Sequence, residues 1–354
     1  MSDDELYGTL DSSEIVWRDR QPFLESKGYM LRPRFRPGWE PSWRSTGKHP
    51  AESEDGILLP ARPLLIDATR ISDNLLVYIK QCVTGDLETE IATRLNAPNL
   101  RQDGRNHACP IIDVFSDVHD SKVCYMVMPF LRPINKPPFE TVGEVVDCIT
   151  QLLELCYASS LYSHLCRDCS EKNILMDGRR MFPEGFHPIY NSFLPDGFMV
   201  VTNSLSRTKA GVQYYYVDFG ISSYLPKNAP SRLVTGDAGR ERAPELSIST
   251  PYDPFKVDVY TIGHVFKRQF VDLFTNVDFL KPLIEGMIPT EPGRRSSAAD
   301  ALAQWALIQQ RLGRFRLSRR LKPRAEGAII GTVRDTVDWA RAVGSFIGRT
   351  ILLV

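Results

Sequence analysis

Several absences narrow this chain before any motif is read. No uncharged apolar run reaches membrane-spanning length, so no segment reads as a transmembrane helix. Net charge is missing too. The 43 Lys and Arg balance 43 Asp and Glu, so no global field favours nucleic acid, and no nucleic-acid partner is expected. The opening MSDDELYGTL is polar and acidic and lacks the segments of a secretory leader. The cysteines are seven, an odd number, and scattered. Together these predict reduced thiols in an intracellular protein, cytoplasmic in the simplest case and nuclear as the alternative. Cys166 and Cys169 form C-x-x-C without a second pair or His ligands at zinc spacing, which reads as two thiols in a packed loop. There is no internal repeat.

What remains is globular. A hydrophobic share of 43% and a charged share of 24% over 354 residues suffice for a sizeable core in two or three domains, or in one two-lobed domain with extensions. Residues 1–52 read as an irregular extension. Pro33, Pro37 and Pro41 break any long helix, and Trp17, Trp39 and Trp43 predict a segment wrapped along a folded domain. From 57 the period becomes strand-like. ILLPARPLLIDATRI and NLLVYIKQC are joined by a turn at Ser72–Asn74, and IIDVF and VCYMVM come later. DLETEIATRLN (86–96) suits a short helix with Leu87, Ile91 and Leu95 on one face. TVGEVVDCITQLLELCYASSLY suits a long one, capped by Thr141 with Glu144 three residues on. Strands followed by helices predict an α+β chain with a small β-rich lobe and a larger helical lobe. The expected boundaries are 1–52 for the extension, 53–131 for the small lobe, 132–310 for the large lobe with an insertion at 177–212, and 311–354 for a tail.

One constellation carries chemistry. Asp168 begins D-x-x-x-x-N, ending at Asn173, within HLCRDCSEKNILMDG. The strand YYVD ends in Asp218-Phe219-Gly220, and Ala243-Pro244-Glu245 follows. Upstream, Val77-Tyr78-Ile79-Lys80 ends a strand, and Glu88 stands on the next helix. This order of Lys, Glu, R-D…N, D-F-G and A-P-E resembles the protein-kinase signature set. The likeness runs over about residues 57–308. Asp258…Gly263 resembles the buried helix after A-P-E, and Arg295 the arginine that pairs with its Glu, here Glu245. WRDRQPFLESKGYMLRPRFRPGWEPSW, LLIDATRISD, RNHACPI, MPFLRP and MFPEGFHP are similar to markers of the protein-kinase-like family of mushroom-forming (basidiomycete) fungi, within the eukaryotic protein kinase superfamily.

The resemblance implies a bilobal kinase-like fold, ATP and Mg²⁺ as cofactors, and a protein substrate. It implies that Lys80, fixed by Glu88, holds the α- and β-phosphates. Asn173 and Asp218 hold Mg²⁺ through hard oxygens, and Asp168 orients the substrate hydroxyl and accepts its proton. Met128 is the gatekeeper, backbone groups of Pro129 and Leu131 meet the adenine, and Leu175 packs beneath it.

The chain departs from that pattern in places. Residues 56–76 hold one glycine, Gly56, so no G-x-G-x-x-G cradles the phosphates. Cys166 replaces the motif His. Ser170 replaces the Lys often set against the γ-phosphate, with Lys172 in reach as a substitute. Ala238 replaces a Thr often found before A-P-E, and 44 residues separate Asn173 from Asp218. Arg167 suggests a phosphorylated activation segment, with Thr235 preferred over Ser222, Ser223 and Ser231. The tail opens with seven basic residues in 310–324. It continues in a pattern suited to an amphipathic helix, which offers a peripheral membrane or partner contact through 311–354. The expected function is transfer of the ATP γ-phosphate to a protein Ser/Thr hydroxyl. The alternative is a pseudokinase scaffold with weak or no turnover.

Overall fold

The computed structural model describes residues 2–58, 63–162, 164–165, 168–225, 229, 231–237 and 242–326. It is a mixed α/β structure that divides into two units. Met1–Gly104, Ala108–Arg132 and Leu175–Gly220 form the first; Arg105–His107, Pro133–Ile174 and Ile221–Val354 form the second. Cys166, Arg167, Ala238 and the amphipathic pattern after 326 lie outside the described residues.

The first unit is built on a five-stranded antiparallel sheet. Its strands are β1 (Tyr29–Met30), β2 (Leu65–Arg70), β3 (Leu75–Val83), β4 (Asp113–Ser116) and β5 (Val123–Pro129), in the order β1-β2-β3-β5-β4. The β2–β3 turn is fixed by chemistry the sequence supplies. Asn74 takes the left-handed conformation with φ 57°, which Asn tolerates better than most residues. Asp73 accepts from the Leu75 amide at 3.2 Å and holds both arms of Arg70. Register then runs from Leu65 opposite Lys80 to Arg70 opposite Leu75. Because side chains alternate along a strand, Ile66, Ala68, Val77, Ile79, Tyr125 and Val127 share one buried face. Asp67, Tyr78 and Lys80 take the other.

That buried face is covered by helix α1 (Ser12–Ser26), which corrects the irregular extension expected for residues 1–52. Asp11 and Glu14 form a capping box at its start, and Pro22 is tolerated inside it at the loss of one helix hydrogen bond. Its buried stripe is Glu14, Trp17, Gln21 and Leu24, at helical spacing. Half of that stripe is polar, so apolar periodicity does not reveal it. The polar members are matched on folding. Gln21 accepts from the Leu31 amide at 2.9 Å. Glu14 takes two bonds from the fully buried Arg34 guanidinium at 2.8 and 2.9 Å. Arg34 also donates to the carbonyls of Tyr7, Thr9 and Asp55. Trp17 and Leu24 join the sheet core with Tyr29, Leu31 and Phe35.

Strands β6 (Ile174–Asp177) and β7 (Gln213–Tyr216) are neighbours in a small separate sheet. The excursion between them groups with the sheet unit rather than with the helical lobe expected from the sequence. Its aromatics explain why. Phe186 packs on Phe130 at 5.6 Å, and the Arg132 guanidinium lies 4.3 Å over Phe182 and 4.4 Å over Phe186 while donating to Asn191 O at 2.7 Å. Burial, with Arg207 nearby, pulls the Arg132 guanidinium down to about 10. A polar chain fastens the same excursion: His187 meets Glu54, Glu54 meets Arg32, and Arg32 meets Asp67 on β2. The His187 Nδ1 accepts from the amides of Ile189 and Tyr190, which leaves Nε2 as the donor to Glu54.

The second unit is mainly helical. Helix α3 (Val142–Tyr162), numbered after α2 (Leu87–Leu95) of the first unit, packs against α5 (Ala298–Gln310) and α4 (Pro254–Phe266). Trp305 is fully buried and donates to Thr150 Oγ1 at 3.0 Å. A hairpin of β8 (Val234–Gly236) and β9 (Ser247–Tyr252) lies before α4. Among the described residues no helix is long and apolar enough to cross a membrane. The six cysteines at 82, 109, 124, 148, 156 and 169 are buried and unbridged, and no group of His, Cys, Asp or Glu makes a metal cluster among the described residues.

Removing one member of a buried ion pair strands the other. Arg34→Met is therefore expected to cost about 3–5 kcal/mol. The double change Glu14→Leu with Arg34→Met should cost less than the single one. Urea unfolding followed by tryptophan fluorescence measures both.

Candidate active site

Lys80 projects from β3 on the face opposite the apolar core. Its ammonium contacts Glu88 Oε1 and lies 3.3 Å from Asp218 Oδ1. Asp218, remote in sequence, thus meets Lys80 and Glu88 within one unit. Glu88 is delivered by α2, whose start is capped by Asp86 accepting from the Thr89 amide at 2.8 Å. Glu90, two residues on, instead points to Arg94 at 4.0 Å on the exposed side. Burial alone would lower the Lys80 pKa, but the carboxylates of Glu88 and Asp218 outweigh it and hold the ammonium above its ordinary value. Lys80 is a fixed cation here and no proton donor at neutral pH.

Asp218 itself sits at φ 63°. A non-glycine residue in that region is uncommon, and such conformations concentrate at functional sites. Its side chain is 54% exposed, so the carboxylate faces outward while one oxygen touches Lys80. The glycine at 220 keeps that region open. A Cβ there would stand 3.3 Å from Asp218 Oδ1 and 3.5 Å from Glu88 Oε2.

Asp168 and Asn173 come together in the second unit. Asn173 Nδ2 reaches Asp168 Oδ2 at 2.9 Å and Asp168 O at 3.1 Å. Both partners are acceptors, so the amide nitrogen must face them. Its Oδ1 then turns the other way, a hard oxygen of the kind Mg²⁺ takes. In the first unit the exposed Asp218 carboxylate is likewise a hard oxygen donor. The turn Glu171–Asn173 is held by the Asn173 amide donating to Ser170 O at 2.9 Å. Lys172 is exposed and has no carboxylate in ion-pair reach among the described residues. Ser170 is buried, and its Oγ has no hydrogen-bond partner among the described residues.

The A-P-E glutamate is placed as its motif implies. Glu245 takes two bonds from Arg295, at 2.5 and 2.8 Å, and the arginine side chain is fully buried. Arg295 spends its remaining donors on the carbonyls of Pro289, Lys256 and Thr290 and stacks 4.4 Å over Tyr260. Asp258 is buried in α4. Thr235 is exposed on β8, whereas Ser222 is buried.

Along the expected purine slot, Met128 and Leu175 are half-buried and Pro129 and Leu131 are buried. The Phe130 amide donates to Leu76 O at 3.1 Å. Tyr78 pairs with Met128 across β3 and β5 and shares the Lys80 face. Its ring stacks on Phe130, with centroids 4.4 Å apart and planes at 25°. Motif reading passed over this residue. The signal was present, since the kinase strand reads V-A-I-K and this one V-Y-I-K. No protein-family model and no curated protein sequence matches the chain.

A buried hydroxyl without a partner forfeits about 1–3 kcal/mol of solvation. Ser170→Ala is accordingly expected to leave the melting temperature unchanged or raise it, as a differential scanning measurement would show.

Proposed function

We propose that the chain is a kinase-like phosphotransferase of bilobal architecture, belonging to the family its motifs resemble, that moves the γ-phosphoryl group of ATP to a Ser/Thr hydroxyl of a protein. The observation that carries this reading is the meeting of Lys80 with Glu88 and Asp218. Phosphoryl transfer asks mainly for positioning and charge neutralisation. Lys80, locked by Glu88, is a rigid cation for the α- and β-phosphates. Asp218 and Asn173 would hold Mg²⁺, which supplies neutralisation of phosphate charge when bound. Asp168 would orient the attacking hydroxyl and take its proton as the new O–P bond forms and the bond from the γ-phosphorus to the leaving oxygen breaks. Lys172, unpaired among the described residues, is the cation nearest in sequence to stand in for the Lys that Ser170 replaces.

A second reading is favoured by Tyr78. A purine lying between Lys80 and the backbone of 129–131 meets an aromatic ring where the motif has a methyl group. Admitting the base breaks the Tyr78–Phe130 stack, worth about 0.5–1.5 kcal/mol. Combined with the missing glycine loop, this describes a scaffold with weak nucleotide affinity.

ATP with Mg²⁺ is expected to raise the melting temperature of the wild-type chain, and Lys80→Ala and Asp218→Asn are expected to abolish the shift. No shift in any of the three would contradict the nucleotide site. Tyr78→Ala should bind ATP about two- to tenfold more tightly than wild type, the factor equivalent to the lost stack. Equilibrium titration with a fluorescent ATP analogue measures it.

A further inference from the structure

We propose that residues 311–319 form a docking surface for the anionic headgroups of a lipid bilayer. The segment belongs to the second unit. It runs from the end of α5 through the short helix α6 (Arg314–Leu317) and carries Arg311, Arg314, Arg316 and Arg319, all exposed, with no acidic residue between them. None of these four has a carboxylate in ion-pair reach among the described residues. Two nearby acids are engaged elsewhere, and exposed Glu140, whose carbonyl takes the Leu321 amide, makes no ion pair with any of the four among the described residues. Glu326 holds Arg320 at 2.8 Å, and Asp278 holds Lys281 and Arg324 at 3.0 and 2.9 Å.

At the centre of the cluster stands Phe315, 68% exposed, and Leu307 on α5 is 57% exposed. The Phe315 ring stands between the guanidinium-bearing residues Arg314 and Arg316, and the described residues leave most of it uncovered. The segment is nevertheless fixed. Leu317 O sits so close to α3 that a Cβ at Gly143 would lie 3.1 Å from it. The Val142 amide donates to Arg319 O at 3.0 Å, and the Leu321 amide to Glu140 O at 2.7 Å. Arg316 stacks over Phe279 at 4.8 Å and Arg319 over Phe315 at 5.3 Å. The cluster therefore presents a preformed set of cations around one apolar wedge.

Charge complementarity points to an anionic partner, and the arrangement favours lipid over an acidic protein. A folded partner must place each carboxylate to match a guanidinium. A fluid layer of phosphates supplies one wherever the guanidinium points, and it takes an aromatic side chain at the headgroup boundary. Each arginine near such a surface contributes about fivefold in partitioning.

The test is co-sedimentation of the full chain with vesicles of phosphatidylcholine alone and with added phosphatidylserine. Wild-type protein is expected to pellet with the anionic vesicles only, and less so as salt is raised. Replacing Arg314, Arg316 and Arg319 together by Gln should weaken binding about a hundredfold. Phe315→Ala should weaken it without changing the salt dependence. Unchanged melting temperatures would confirm that these exposed changes leave the fold intact. Four results would each overturn the proposal: equal binding to neutral vesicles, no binding by wild type, binding that survives the triple substitution, or binding to soluble polyglutamate with none to vesicles.

Discussion

Strand β3 is constrained on both faces, and most of the first unit follows from that. Val77 and Ile79 are drawn into the core that α1 closes over the sheet. The two-residue repeat of a strand then sends Tyr78 and Lys80 to the opposite face. A shift of register by one residue would put the ammonium into the apolar core and the isoleucine into the candidate site. The Arg70–Asp73–Leu75 turn and the six-residue pairing with β2 prevent that slip. Glu88 and Asp218 find Lys80 only because β3 presents it there.

The second unit is organised around a different buried charge. The Arg295 side chain is fully enclosed, yet its guanidinium nitrogens meet acceptors and its plane lies over an aromatic face. Buried ion pairs contribute little net stability when compared with apolar replacements, and they serve better to specify one arrangement. Here the arrangement specified is the position of Glu245 and of the chain that leads to it. The Asp168–Asn173 bond does the same on a smaller scale, since it fixes which way the amide faces.

Much of this was legible in the residues. The alternation in NLLVYIKQC and the helical spacing in DLETEIATRLN rest on short-range pattern, and the structure forms a strand and a helix there. The Glu245–Arg295 pair was legible only through the resemblance of its motifs to the protein-kinase set. Helix α1 was not, because its buried stripe is half polar and becomes favourable only when Arg34 and the Leu31 amide arrive from elsewhere in the chain. Nor was the grouping of 175–220 with the sheet, which depends on Phe130, Arg132 and Glu54, residues remote in sequence from the aromatics they hold. Tyr78 went unread for another reason: its importance lies in the size of one side chain at a position where the pattern of the strand is otherwise satisfied.

The central claim is that these groups transfer a phosphoryl group rather than hold one in place. The most direct test is incorporation of labelled γ-phosphate from ATP into a Ser/Thr peptide library, with Asp168→Asn as the comparison. The account predicts incorporation by the wild-type chain and its loss in Asp168→Asn. Incorporation that persists undiminished in Asp168→Asn, or no incorporation by wild-type protein that binds ATP and Mg²⁺, would contradict it.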